Sequence, residues 1–411
     1  MTFCKSLLLL LLPLQISAAV WHADNAWNEN FERKYQSWVT SNKVHANIFT
    51  DSSSDYYGIK ADCADAAYAI RAIFSLENSL PFAITNPSGS RGQNKALSNT
   101  VSAFDNISNS KKRFVAFINY IGNSVGSENL TRLDTYPVKL SSIKAASLFT
   151  YRIKGRFGKA IRHVYTIKDV VETGNFDLIY STQAIRKDGL PMNYRPGKEL
   201  VNLPHDVWGF KRFLWPAHLG RSTSHYPEHY EYSQEQFTLA KKYSSAEFFS
   251  YVKNILKTTD ETPNAKIKRA LTNICHEATQ RIHNIQQGVN FNLSITGRCM
   301  NYREYDIYST PARDKALKAS YESLIYHWNN VGNQVSDNEL AILSESILDS
   351  DYADASALLT FCPIAVAGLK TFHLSEIWEG IKRGDLSSHP NDSLSARWGM
   401  PGSRTNCKVW Y

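Results

Sequence analysis

Hydrophobic positions recur at helical spacing through the first part of the chain. Trp27, Phe31, Tyr35, Trp38 and Val39 share one face of residues 25–44 and predict an amphipathic helix. Ala66, Ala67, Ile70, Ile73 and Phe74 do the same over 65–78, and Leu80-Pro81-Phe82 ends the pattern. A third helix is predicted over 112–121, between a flexible loop at 85–99 and a Gly/Asn/Ser-rich stretch at 122–128. From Thr135 to Thr182 the texture becomes strand-like, in the runs 138–140, 161–171 and 176–182. Glu172-Thr173-Gly174-Asn175 reads as the turn of a hairpin between the last two. Residues 186–232 are rich in Pro, Gly, Trp, Tyr and His and read as a long ordered loop region. Helical texture returns over 234–257, 265–288, 311–332, 337–348 and 374–382, and the tail from Ser395 is irregular.

These elements predict an α+β protein in two parts, with a boundary near residues 215–232. Residues 20–220 form a Cys/His domain with a helix packed on a small antiparallel sheet. Residues 221–411 form a mainly helical, disulfide-containing region. The length of 411 residues suits two domains, and 43% hydrophobic with 20% charged residues is ordinary globular composition.

Residues 1–19 read as an export signal. Lys5 is the charged start, Leu7–Leu14 the apolar stretch, and Ile16-Ser17-Ala18-Ala19 the small-residue cleavage zone. The apolar stretch is too short to span a bilayer, and the predicted product is periplasmic or secreted with no transmembrane anchor. The net charge of +8 suits an anionic partner such as a cell-wall polymer, or is simply dispersed over a large surface. No dense Lys/Arg run is present, so nucleic-acid binding is not expected.

Removal of the signal takes Cys4 with it and leaves Cys63, Cys275, Cys299, Cys362 and Cys407. Four can pair in an oxidising compartment, and Cys63 is the odd thiol. Nearest-neighbour pairing, Cys275–Cys299 and Cys362–Cys407, is the simplest of the three connectivities.

Cys63 sits at the predicted start of the 65–78 helix. A helix N-terminus lowers a thiol pKa through its dipole and its unpaired N–H groups. Asp62 and Asp65 oppose ionisation unless Asp62 is occupied as the N-cap acceptor. A free cysteine is commonly just a small buried apolar residue; the odd count in an exported chain favours a functional thiol. A hundred residues later, His163 lies on a strand, on one face with Ile161 and Tyr165. A histidine so placed can take the thiol proton and return it to a leaving group.

Asp62-Cys63-Ala64-Asp65-Ala66-Ala67, with Arg71, Phe74 and Leu80-Pro81-Phe82, resembles the nucleophile helix of transglutaminase-like and NlpC-type cysteine hydrolases. His163-Val164-Tyr165, a turn and Leu178-Ile179-Tyr180-Ser181-Thr182 resemble their histidine hairpin. The resemblance covers residues 55–185 and implies a circularly permuted papain-like domain acting on peptide or isopeptide amides, cell-wall peptides among them. It implies Cys63 as nucleophile and His163 as base, then acid.

The third catalytic member departs from that pattern. With a regular hairpin centred near Thr173, His163 faces Gln183, and Asp177 lies about 20 Å away along the strand. Gln183 is therefore placed ahead of Asp177 as the residue orienting the imidazole. The oxyanion donors expected are the Cys63 N–H and a group from the Tyr56–Lys60 loop, with Tyr56 or Tyr57 in reach.

No cofactor and no metal is expected. Cys275-His276-Glu277 with His283 puts its two histidines two helical turns apart, too far for one ion. Phosphate-cradling glycine loops and a dinucleotide fingerprint are lacking. Three functions remain: an exported cysteine hydrolase working through a Cys63 thioester, an acyl transferase on the same fold, and a non-catalytic exported binding protein.

Overall fold

The structure, a computed structural model, describes residues 19–86, 88, 96–155, 158–182, 190–349 and 354–411. The predicted export signal therefore lies outside the described residues except for Ala19, and so does Gln183.

The first helix, α1 (Glu29–Thr40), starts where the Asn28 side chain accepts from the Phe31 N–H, and buries Tyr35, Trp38 and Val39. The second, α2 (Cys63–Glu77), is capped by Asp62, which accepts from the Ala64 and Asp65 N–H groups. Asp65 reaches back to the Asp62 N–H to complete a capping box. From Ala64 to Ser75 this helix is buried on every side, so it is the spine of the first core rather than a surface helix. Its one buried cation, Arg71, meets Glu32 at 2.9 Å and lies 3.5 Å from the centre of the Trp27 ring. A short hairpin, β1 (Ala83–Thr85) and β2 (Ala96–Ser98), and α3 (Ser110–Ser124) cover α2. Gly122 permits that approach, because a Cβ there would sit 2.9 Å from the Asp65 carboxylate.

The chain then makes the one-turn α4 (Ser127–Asn129) and enters an antiparallel sheet. Its strands are β3 (Thr135–Pro137), β4 (Leu148–Lys154), β5 (Ala160–Val170), β6 (Phe176–Tyr180), β7 (Asn193–Arg195) and β8 (Phe210–Phe213), in spatial order β3-β8-β4-β5-β6-β7. The β5–β6 turn is where it was predicted: Gly174 has φ +75° and the Val171 N–H donates to the Asn175 carbonyl at 3.0 Å. The register differs from the regular one. Asp169 faces Asp177, but Ile167 faces Leu178, so Lys168 is bulged out. Its ammonium donates to the carbonyls of Val39, Thr40, Ser41 and Val44 at 2.7–3.3 Å. That satisfies the end of α1, and the bulge is what lets Lys168 reach it.

One face of the sheet, with Leu148, Val164 and Ile179, packs on α2. The other, with Phe149, Tyr151, Ile167, Phe176 and Phe210, packs on α6. The next helices are α5 (Glu235–Leu239) and α6 (Ser245–Leu256), and Phe248, Phe249 and Val252 of α6 belong to the core under the sheet. The separate helical core starts only at α7 (Pro263–Ser294), later than the boundary expected at 215–232. It continues through α8 (Tyr302–Tyr308), α9 (Pro311–Val331), α10 (Asn338–Leu348), α11 (Ala355–Phe361), the two-residue strands β9 (Ile364–Ala365) and β10 (Thr371–Phe372), α12 (Leu374–Arg383) and α13 (Leu394–Arg397).

The bridges join Cys275 to Cys362 and Cys299 to Cys407, not nearest neighbours as expected, because the chain just past Cys362 returns as β9 to pack on α7, which carries Cys275. Cys63 is the free cysteine among the described residues. Two disulfides suit an oxidising compartment. Among the described residues, no helix is long and apolar enough to cross a membrane.

Two buried charge clusters join the halves. Glu277 of α7 meets Lys198 at 2.5 Å and Arg195 at 3.4 Å. Glu199 meets Arg269, His327 and Lys253.

Candidate active site

Pairing of β5 with β6 runs from Val170–Phe176 to Thr166–Ile179, which leaves the β5 edge open beside Val164. The start of α2 fills that gap. Ser181, just past β6, donates to the Ala61 carbonyl at 2.8 Å and ties the loop before α2 to the sheet. Cys63 therefore stands at the rim of the sheet, half-buried, at the first position of its helix.

A cavity of about 330 Å³ opens there. Cys63, Asp62 and Ser127 line one side, and His163, Tyr151, Tyr165 and Tyr180 line the floor. The opposite wall belongs to the helical half, through Glu277 and Gln280 of α7, Tyr302 of α8 and Arg313 of α9. The cavity thus lies between the two parts of the chain. A larger one, of about 710 Å³ around Glu32, Trp215 and His229, is lined by no cysteine, serine or threonine.

The Cys63 sulfur lies 3.3 Å from the Ser127 hydroxyl. Burial pushes the thiol up to about 12, and the Asp62 carboxylate adds to this. The Ser127 hydroxyl and the Val164 N–H pull the other way, without reversing it. Asp62 is occupied as the cap, yet its charge still acts on the thiol.

His163 is 9% exposed, and its Nε2 is buried with no hydrogen-bond partner. Alternation along β5 puts it on the face away from α2, with the rings of Tyr165 at 4.6 Å, Tyr180 at 5.5 Å and Tyr151 at 5.6 Å between centroids. Burial lowers its pKa to about 3, with Lys198 and Arg313 adding to the effect. Cys63 and His163 reach the same cavity from a rim and a floor, and no hydrogen bond joins them. At rest this is a neutral thiol beside a neutral imidazole, not an ion pair.

Asp177 is not in the cavity wall. Its carboxylate accepts from the Tyr194 hydroxyl and the Gly197 N–H, each at 2.9 Å, and pins β6 to β7 and the turn that follows. Its place opposite Asp169, six residues along β5 from His163, is the reason. The bulge at Lys168 moves the register by one, so the regular hairpin that set Gln183 opposite His163 does not hold, and Gln183 itself lies outside the described residues. Thr182 lines the cavity.

The Tyr56–Lys60 loop supplies no donor. The Tyr56 hydroxyl is held by Glu77 at the far end of α2, Tyr57 is exposed, and the Lys60 N–H donates to Asn119. The groups hydrogen-bonded to the thiol are the Ser127 hydroxyl and the Val164 N–H. Ser127 sits in a stretch whose Gly/Ser/Asn content reads only as a turn. The helical wall comes from residues more than a hundred positions beyond His163, which no local pattern connects to it.

Among the described residues, no group of three or more His, Cys, Asp or Glu is placed to hold a metal ion. Compared with protein-family models, with curated proteins and with solved structures, the chain matches none.

Proposed function

We propose that the protein is an exported thiol hydrolase of peptide or isopeptide amide bonds, built on a papain-like domain in circularly permuted order. The observation that carries this reading is the convergence of Cys63, at the start of a capped helix, and His163, with an unpartnered ring nitrogen, on one cavity. A cysteine in this position is an amide nucleophile once a base removes its proton.

In this mechanism the substrate carbonyl lies over the Cys63 sulfur. The His163 ring closes on the thiol in the substrate complex and takes its proton as sulfur attacks carbon. The Cys63 N–H and the Ser127 hydroxyl hold the oxyanion. His163 returns the proton to the departing amine, and water then cleaves the thioester with His163 as base. An amine in place of water gives acyl transfer by the same steps. Cell-wall peptides are the substrates that an exported enzyme with a basic surface would meet.

A second reading, a non-catalytic binding protein, is favoured by the neutral resting pair and the missing Cys–His hydrogen bond. Turnover of a peptide panel separates the two. Cys63→Ala should abolish amide cleavage while leaving the circular dichroism spectrum and melting temperature unchanged. Turnover equal to wild type in that variant would rule the thiol mechanism out.

A further inference from the structure

Arg313 lines the cavity from the first turn of α9 and, among the described residues, has neither an ion-pair partner nor a hydrogen-bond acceptor. The two carboxylates close to it are committed elsewhere. Asp314 accepts from Arg281 at 2.7 Å and from Thr310 at 2.9 Å, and Glu277 is shared by Lys198 and Arg195. Around Glu277 there are two cations for one anion, and over the whole lining Arg162, Arg195, Lys198 and Arg313 stand against Asp62, Glu277 and Asp306.

The α9 terminus adds to this. Thr310 makes no side-chain cap, and Pro311 occupies the first position. The helix therefore presents an uncapped positive end to the same space. His163 supplies an independent sign of a ligand, since it is nine-tenths buried, lines this cavity and leaves its Nε2 without a hydrogen-bond partner. A guanidinium taken out of water without a counter-charge is costly to the fold. Here the cost is offset when an anion is bound.

We propose that this wall is a carboxylate-binding subsite, in which Arg313 and the first turn of α9 hold an anionic group of the acyl substrate while the scissile amide lies toward Cys63. The assignment of the amide rests on the hydrolase reading; the carboxylate contact does not. A planar guanidinium matches a carboxylate through two parallel hydrogen bonds. The carboxylate is either a peptide C-terminus or an acidic side chain close to the cleaved bond.

The test is binding to the full-length Cys63→Ala protein, in which turnover is blocked, measured by calorimetry. The probes are N-acetyl-trialanine with a free C-terminus, N-acetyl-Ala-Glu-Ala amide with a side-chain carboxylate, and N-acetyl-trialanine amide with neither. At least one carboxylate probe should bind about 10-fold or more tightly than the uncharged amide, and which one does identifies the source of the anion. Adding Arg313→Gln should erase that preference, and adding Arg313→Lys should retain part of it. Arg313→Gln should also keep the melting temperature, since Arg313 is partly exposed and makes no ion pair or hydrogen bond that the substitution would remove. Equal binding of the three peptides, binding of none, or a preference that survives Arg313→Gln overturns the subsite. Failure of the hydrolase reading shows up separately, as turnover unaffected by Cys63→Ala.

Discussion

The Ser127 hydroxyl, 3.3 Å from the Cys63 sulfur, is the side-chain contact made to that thiol, and it comes from a one-turn helix rather than from the histidine strand. If Ser127 stabilises the oxyanion, Ser127→Ala should lower kcat on the order of 10²-fold with little change in KM. Stability should change little, because the group is small and stands at the cavity edge. Steady-state kinetics with a thermal melt as control checks this; an unchanged kcat removes Ser127 from the mechanism.

A thiol pushed up to about 12 should react slowly with iodoacetamide at neutral pH, without the rise near pH 8–9 of an ordinary cysteine. Asp62→Asn removes the nearest opposing charge and keeps a good N-cap. Alkylation at pH 8 should therefore be faster in that variant, with helix content unchanged. Equal rates would mean that burial alone sets the thiol.

His163 makes acid stability measurable at one position. Its folded pKa of about 3 lies below the ordinary 6.5, so between these values the unfolded chain holds a proton that the folded chain lacks. The stability from keeping His163 neutral is present above 6.5 and is lost as pH falls toward 3. His163→Phe removes this contribution. The stability difference between wild type and variant should change by up to about 1.4 kcal/mol per pH unit over pH 6.5–4.5. Urea denaturation at a series of pH values reads it, and a pH-independent difference contradicts the buried neutral ring.

Burial alone would raise the Glu277 pKa, but Lys198 and Arg195 outweigh it and hold the carboxyl below its usual range. Glu277→Ala leaves both cations buried and unpaired, with an expected loss of about 3–5 kcal/mol. Chemical denaturation checks the figure, and a loss under about 1 kcal/mol would mean that water already solvates the pair.

Legibility followed locality. Asp62-Cys63-Ala64-Asp65 announced a capped helix start because the capping box is a four-residue device. The hairpin turn was equally visible in Glu172-Thr173-Gly174-Asn175. Its register was not, since the bulge serves an interaction of Lys168 with α1, some 125 residues earlier. The central strand β4 went unassigned because Leu148–Tyr151 is buried without alternation. The short strand β8 lay hidden in the stretch read as loop for the same reason. Arg313 looked like any polar residue in a first helical turn. Only the packing of α7 and α9 over the sheet gives it a role.

The two disulfides bear on when this cavity exists at all. Cys275 is two residues from Glu277 on α7, and Cys407 anchors the segment leading to Tyr411, which lines the same space. Bond formation therefore fastens the half of the pocket that β5 and α2 do not supply. With these four cysteines reduced, the chain would carry the Cys63 thiol without a finished cavity wall, and the cavity would be complete only after oxidation.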